Sequence, residues 1–273
     1  MMRTCALWLL AIGVCWFASC SKEEGKSSAA TNPGAKPLII GTDATYPPFE
    51  TIDAKNELSG VSIDMGRALG AALGRPVEFR NINFDGLITA LKAGSLDIII
   101  SSMSATDERR QSLDFSDPYV KTGICILASA KSPVQGADDL KKPGVKLVVR
   151  LGTTGETYTK EHYPQAVITP LDADSACALE VSNGNVDAWI YDQISLMRYH
   201  ERFKETTRVI LKPLREEVWA IALRKGDDAL REKINAFLKD FRAKGGFKDL
   251  ADKHLSKERE MLKAQGIPFV FDL

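Results

Sequence analysis

The residues best suited to chemistry lie in the stretch 97–110, DIIISSMSATDERR. An apolar run, Ile98 to Ile100, breaks into Ser101, Ser102, Met103 and Ser104. Thr106 then caps a helix that carries Asp107 and Glu108 in its first turn, followed by Arg109 and Arg110. Consecutive β-branched residues predict a strand buried on both faces, and the hydroxyl residues mark its end. Open parallel sheets bind ligands beyond the carboxyl ends of their strands. Here that end would gather hydroxyls, unpaired amides and a guanidinium fork able to hold a carboxylate through two parallel hydrogen bonds. The same residues also read as a strand, a turn and a solvated arginine pair.

Three further groups have comparable chemistry. Gly152-Thr153-Thr154 stands at another strand end and helix start, where free N–H groups and partial positive charge suit an anion; threonine capping beside a turn glycine is the plainer reading. Asp43 and Tyr46 follow the first strand and Phe84 begins a helix, so a carboxylate and aromatic faces could hold a cationic or amide group. These aromatic residues read equally as core, which is preferred for Phe49. Asp192 follows the run VDAWIY and could take an ammonium group, or simply cap the next helix. His162, His200 and His254 are scattered on helical patterns, so no metal cluster is suggested. There is no nucleophile elbow, and GTTG lacks the lysine of a phosphate-binding loop. The chain offers no catalytic residues and calls for no cofactor.

The elements that would position these groups alternate. Strands are predicted over 37–41, 77–82 and 97–100, with helices over 62–73 and 84–93; Phe84, Leu87, Ile88 and Leu91 fall on one helical face. Strands separated by helices pair in parallel, which predicts an α/β lobe. A second unit runs through strands 123–129, 145–150, 167–169, 186–191 and 208–211, with helices between them. The remainder differs: a strand over 217–224, helices over 227–244 and 247–255, and an extension, 257–273, in which 269–271 could add an edge strand.

Composition bounds the function. The 273 residues carry 36 basic and 36 acidic side chains, so no electrostatic case for nucleic acid exists. Arg3 precedes the apolar run 6–18, too short to span a bilayer and typical of a signal peptide. Residues 1–19 are expected to be removed, and the polar, Ser/Gly/Pro-containing stretch 20–36 reads as a flexible tether. Cys125 and Cys177 could bridge in an oxidising compartment or remain two buried thiols.

Several of these motifs occur together in one family. Phe17-Ala18-Ser19-Cys20 resembles a bacterial lipobox, which implies lipidation at Cys20; cleavage near Ala18 with plain secretion is the alternative. GTDATYPPFE (41–50), Phe84-Asp85-Gly86-Leu87, DIIISSMSATDERRQSLDFSDPY (97–119), RLGTTGET (150–157) and VDAWIYD (186–192) resemble, in order, the family-3 periplasmic solute-binding proteins of polar amino-acid ABC importers. The resemblance covers about residues 37–255. It implies an α/β, two-lobed type II periplasmic-binding-protein fold, with lobe one over 37–121 plus 217–273 and lobe two over 122–216. Two hinge segments near Lys121 and Leu214 would close the lobes over ligand.

By the same resemblance Arg109 should clamp an α-carboxylate with the Ser104 amide and Thr154. Asp192, with Ser102 and Ser104, should take the α-ammonium. Tyr46 and Phe84 should sandwich the side chain, and Asp43 with Ser101 should meet its polar end. Arg150 departs from relatives that bind cationic ligands and would neutralise Asp43, favouring a neutral polar amino acid such as glutamine. The expected partners are a free polar amino acid and a membrane permease with its ATPase. The expected setting is the periplasm or cell surface, where the protein would be a membrane-anchored monomer. A cyclohexadienyl dehydratase on the same fold and a stand-alone amino-acid sensor are the competing readings.

Overall fold

The computed structural model describes residues 34–273; the signal segment, Cys20 and most of the tether lie outside the described residues. The first half opens with strand β1 (Leu38–Thr42). A small meander follows, made of β2 (Thr45–Tyr46), β3 (Glu50–Ile52) and β4 (Leu58–Ser59). Then come α1 (Val61–Ala72), β5 (Val77–Asn81), α2 (Phe84–Lys92), β6 (Ile98–Ile99), α3 (Asp107–Arg110) and β7 (Leu113–Phe115). β8 (Val120–Ser129) leads away to β9 (Lys146–Arg150), α4 (Thr154–His162), β10 (Val167–Leu171), α5 (Asp174–Asn183), β11 (Ala188–Asp192) and α6 (Gln193–Arg202). β12 (Thr207–Trp219) returns to β13 (Ala222–Arg224), and helices α7 (Asp228–Ala243), α8 (Gly246–His254) and α9 (Ser256–Ala264) finish the chain.

These strands form two five-stranded sheets, ordered β5-β1-β6-β13-β7 and β10-β9-β11-β8-β12. β1 pairs in parallel with β5 and β6, and β9 with β10 and β11, as helical crossovers require. β13 and β8 run antiparallel to their neighbours. The helices cover the sheet faces because their apolar sides demand it. In α2, Leu87 and Leu91 are fully buried, each contributing about 1.5–3 kcal/mol of burial free energy, with Phe84 and Ile88 packed beside them.

Two chain segments join the lobes. β8 and β12 pair with each other from Val120–Trp219 to Ile124–Arg215, then slip register before continuing at Ile126–Ile210. Pro213 lies within that irregularity, where its missing N–H breaks no ladder bond. The strand expected over 208–211 is therefore corrected: it runs on through Pro213 to Trp219. The expected edge strand over 269–271 is also absent, although the Lys121 amide donates to the Val270 carbonyl at 2.9 Å. The segment before it is helical. α9 docks on α6 of the second lobe, where Ile194 and Met197 meet Met261 and Leu262 and the Arg198 guanidinium lies 3.4 Å from Glu258. Cys125 and Cys177 are buried free thiols, and burial pushes both up to about 12.

Candidate functional site

The two parallel strand sets aim their carboxyl ends at each other, and the candidate residues sit at those ends. Asp43 follows β1, Ser101 to Ser104 follow β6, Arg150 ends β9, Thr153 caps α4, and Asp192 ends β11 while capping α6. Every expected site residue lines one cavity: Asp43, Tyr46, Phe84, Ser101, Ser102, Ser104, Arg109, Arg150, Thr153, Thr154 and Asp192. Its volume is about 40 Å³, several times the roughly 10–15 Å³ that one water needs. It adjoins a wider mouth of about 640 Å³ that shares Ser104, Arg109, Thr154 and Glu217.

The cationic end is built on the short helix α3. Thr106 caps it by accepting the Arg109 amide at 3.2 Å, which fixes the turn that carries the guanidinium. Arg109 Nη1 donates to the Ser104 carbonyl at 2.9 Å and Nη2 reaches across the cleft to the Gly152 carbonyl at 3.0 Å. Its Cζ lies 5.5 Å from the Phe84 ring centroid. Gly152 has φ of 74°, and a Cβ there would stand 2.9 Å from the Asp85 Cα, so both turn and close approach need glycine. Burial draws Arg109 down to about 10, with Glu217 pulling the other way, which leaves it charged at neutral pH.

The anionic end is Asp192. One carboxylate oxygen accepts from the Tyr46 hydroxyl at 2.7 Å and the Ile194 amide at 2.9 Å; the other accepts from Thr122 at 2.8 Å. Burial pushes this carboxyl up to about 6, those three donors pull it back, and Glu217 adds to the rise. Tyr46 comes from the first lobe, so its bond to Asp192 crosses the cleft. Its ring packs among Phe49, Tyr191 and Trp219 instead of standing free opposite Phe84.

The floor is a buried charge cluster. Arg150 Nη2 donates to Asp43 at 2.5 Å and Nη1 to Asp174 at 2.6 Å, all three side chains being almost wholly buried. Asp43 also accepts from the Phe84 amide and the Thr45 hydroxyl, while its own amide donates to Ser101 Oγ. Both Asp43 carboxylate oxygens are thus engaged by the protein itself.

Glu50, Ile124, Tyr191, Glu217 and Trp219 line the same cavity and were not anticipated. Glu217 bridges the lobes: one oxygen accepts from Ser104 at 2.5 Å and Thr154 at 2.9 Å, the other from Arg215 at 2.7 Å. A signal for it existed, since alternation in EVWAIALR puts Glu217 on the same face as Trp219, which is buried. Among the described residues no group of three or more His, Cys, Asp or Glu could hold a metal ion, and no described helix is long and apolar enough to cross a membrane.

Comparison with known proteins finds amino-acid-binding relatives. A probable histidine-binding protein of Neisseria gonorrhoeae is 30% identical over 258 residues, covering 92% of this chain and 96% of its own. The crystal structure of an ancestral amino acid-binding protein, a precursor of cyclohexadienyl dehydratase, is 36% identical with a TM-score of 0.73, covering 81% of this chain and 96% of its own. An ancestral arginine-binding protein bound to glutamine is 33% identical with a TM-score of 0.73, covering 80% and 97%. Residues 38–257 match the model of the bacterial extracellular solute-binding proteins, family 3, and the chain belongs to that family.

Proposed function

We propose that this protein is the extracytoplasmic substrate-binding component of an amino-acid ABC importer. It captures a polar amino acid between its lobes and presents it to a membrane permease. The observation that carries this reading is a fixed cation, Arg109, and a fixed anion, Asp192, on opposite lobes of one cavity, the arrangement a zwitterion needs. Arg109 takes the α-carboxylate with the Ser104 amide and Thr154, Asp192 takes the α-ammonium with Ser104, and Phe84 flanks the side chain. Ligand then bridges 37–121 plus 217–273 and 122–216 and favours closure. Lipidation at Cys20 holds the monomer at a membrane surface. The side chain selected is neutral and polar, glutamine being the leading candidate, because Arg150 already neutralises Asp43.

The test is calorimetry on protein stripped of ligand by unfolding and refolding, titrated with each standard amino acid. Binding of one polar amino acid at micromolar strength or better is expected; native protein that binds none refutes the reading. Similarity to a dehydratase precursor gives a second reading one specific support. Incubation with prephenate or arogenate distinguishes them, since only an enzyme turns these over.

Affinity should depend on pH through Asp192. A carboxyl whose folded value is raised holds its proton more tightly in the fold, so its contribution to stability is present at low pH and lost as pH rises through about 6. An ammonium ligand requires the ionised form. Affinity should therefore be level above that pH and fall toward about tenfold per unit below it. Calorimetry across this range that finds a flat affinity would remove Asp192 as the ammonium partner.

A further inference from the structure

Four buried polar atoms gather beneath the cavity without a well-formed hydrogen bond, though they stand close enough to act on one another: Glu50 Oε2, Ser62 Oγ, Ser102 Oγ and Tyr119 Oη. Leaving such groups unpaired costs about 1–3 kcal/mol each, so their grouping calls for an explanation. Two of the four, Glu50 and Ser102, also line the cavity, whereas Ser62 and Tyr119 stand outside its lining. Glu50 is only 1% exposed, and Ser102 is held at φ of 49°, a conformation that few non-glycine residues adopt. Such strain is tolerated where surrounding structure fixes a side chain for a task. The neighbouring Asp43, by contrast, has both oxygens occupied by Thr45, Phe84 and Arg150.

Building on the amino-acid-binding reading above, we propose that the distal end of the ligand's side chain is read by Glu50 and Ser102, not by Asp43, and that the group read there is a carboxamide. Burial pushes the Glu50 carboxyl up to about 8, against the pull of the Ser62 and Ser102 hydroxyls and with Asp43 and Asp174 adding to it. At neutral pH it is mostly a neutral acid, with an O–H to donate and a carbonyl oxygen to accept. Ser102 likewise both donates and accepts. A primary carboxamide offers the complementary donor and acceptor pair. An ammonium or guanidinium offers donors alone and would approach the Arg150 guanidinium as a like charge. The hydroxyls of Ser62 and Tyr119 lie next to Glu50, outside the cavity lining.

The experiment compares glutamine with methionine, a ligand of similar length whose side-chain end has no N–H donor or carbonyl. Calorimetry on refolded wild type, Glu50→Leu, Glu50→Gln and Ser102→Ala gives an affinity ratio for each. Wild type should prefer glutamine. The ratio should drop about tenfold or more in Glu50→Leu and in Ser102→Ala, with methionine binding retained, because each variant removes a partner of the amide. Glu50→Gln, which keeps a donor and an acceptor, should retain most of the preference. If Glu50→Leu does not fold, Ser102→Ala decides alone. An unchanged ratio in the folded variants overturns the proposal. Wild type that binds only basic amino acids overturns the carboxamide assignment while leaving the binding function standing. Wild type that binds no amino acid refutes that function itself.

Discussion

Arg109→Ala should weaken amino-acid binding by about a hundredfold or more while leaving the fold intact, as expected when one member of a desolvated, hydrogen-bonded charge pair is removed. The loss falls on binding because the side chain does little for the core. It belongs to a four-residue helix and is only half-buried, and its two side-chain hydrogen bonds go to carbonyls at the cleft surface. A carboxylate entering beside Ser104 and Thr154 would instead make charge-assisted bonds, roughly twice as strong as neutral ones. Arg109→Lys should recover only part of the affinity, since an ammonium cannot present two parallel donors in a fixed plane. Calorimetry gives the affinities, and thermal melting of the ligand-free variants checks the fold. Wild-type affinity in a folded Arg109→Ala protein would remove the carboxylate clamp from the mechanism.

Much of this arrangement is legible in the chain because strand ends announce themselves. Where an apolar run stops at hydroxyls, glycine or aspartate, as at Ser101, Gly152 and Asp192, both the end of the strand and a polar group at the sheet's rim are read together. The alternation of strands and helices then forces parallel pairing and brings the rims of β1 and β6 to one side. What is hidden depends on partners distant in sequence. Pro213 reads locally as a strand stop, yet β12 continues because its irregular register faces β8. Glu50 follows two prolines and looks like the end of a loop; only the fold packs it beside Ser102 and Tyr119. Residues 256–264 carry Met261 and Leu262 among many charges, too few apolar positions to reveal a docking face, and that face exists only because α6 supplies Ile194 and Met197.

The bonds that cross the cleft also bear on how closure works. Tyr46 to Asp192, Arg109 to Gly152, Arg150 to Asp43, and Ser104 through Glu217 to Thr154 all join the two lobes. Each uses groups that an amino acid would also use or approach. On the proposed function, ligand entry would exchange one set of interlobe bonds for another, and only the difference between the two sets would drive the closed state. Selectivity follows from the same exchange, because a ligand that cannot replace a protein bond leaves a buried group unpaired.

Arg150 is where that rule should have its largest effect on specificity. Its guanidinium is buried between Asp43 and Asp174 and cancels the charge that, on the proposed function, would attract a cationic side chain. Arg150→Leu leaves those carboxylates buried without a cation, a change that costs about 3–5 kcal/mol when one partner of a buried pair is lost. The ligand-free variant should melt well below wild type. Lysine or arginine can then supply the missing charge, so affinity for basic amino acids should rise by at least about tenfold while preference for neutral ones declines. Added arginine should also restore much of the lost melting temperature, since a ligand that binds only the folded state stabilises it. Titration of the variant with glutamine, lysine and arginine is the deciding measurement. Unchanged preferences in a folded Arg150→Leu protein would mean that the Arg150–Asp43 pair holds the lobes together without choosing the ligand.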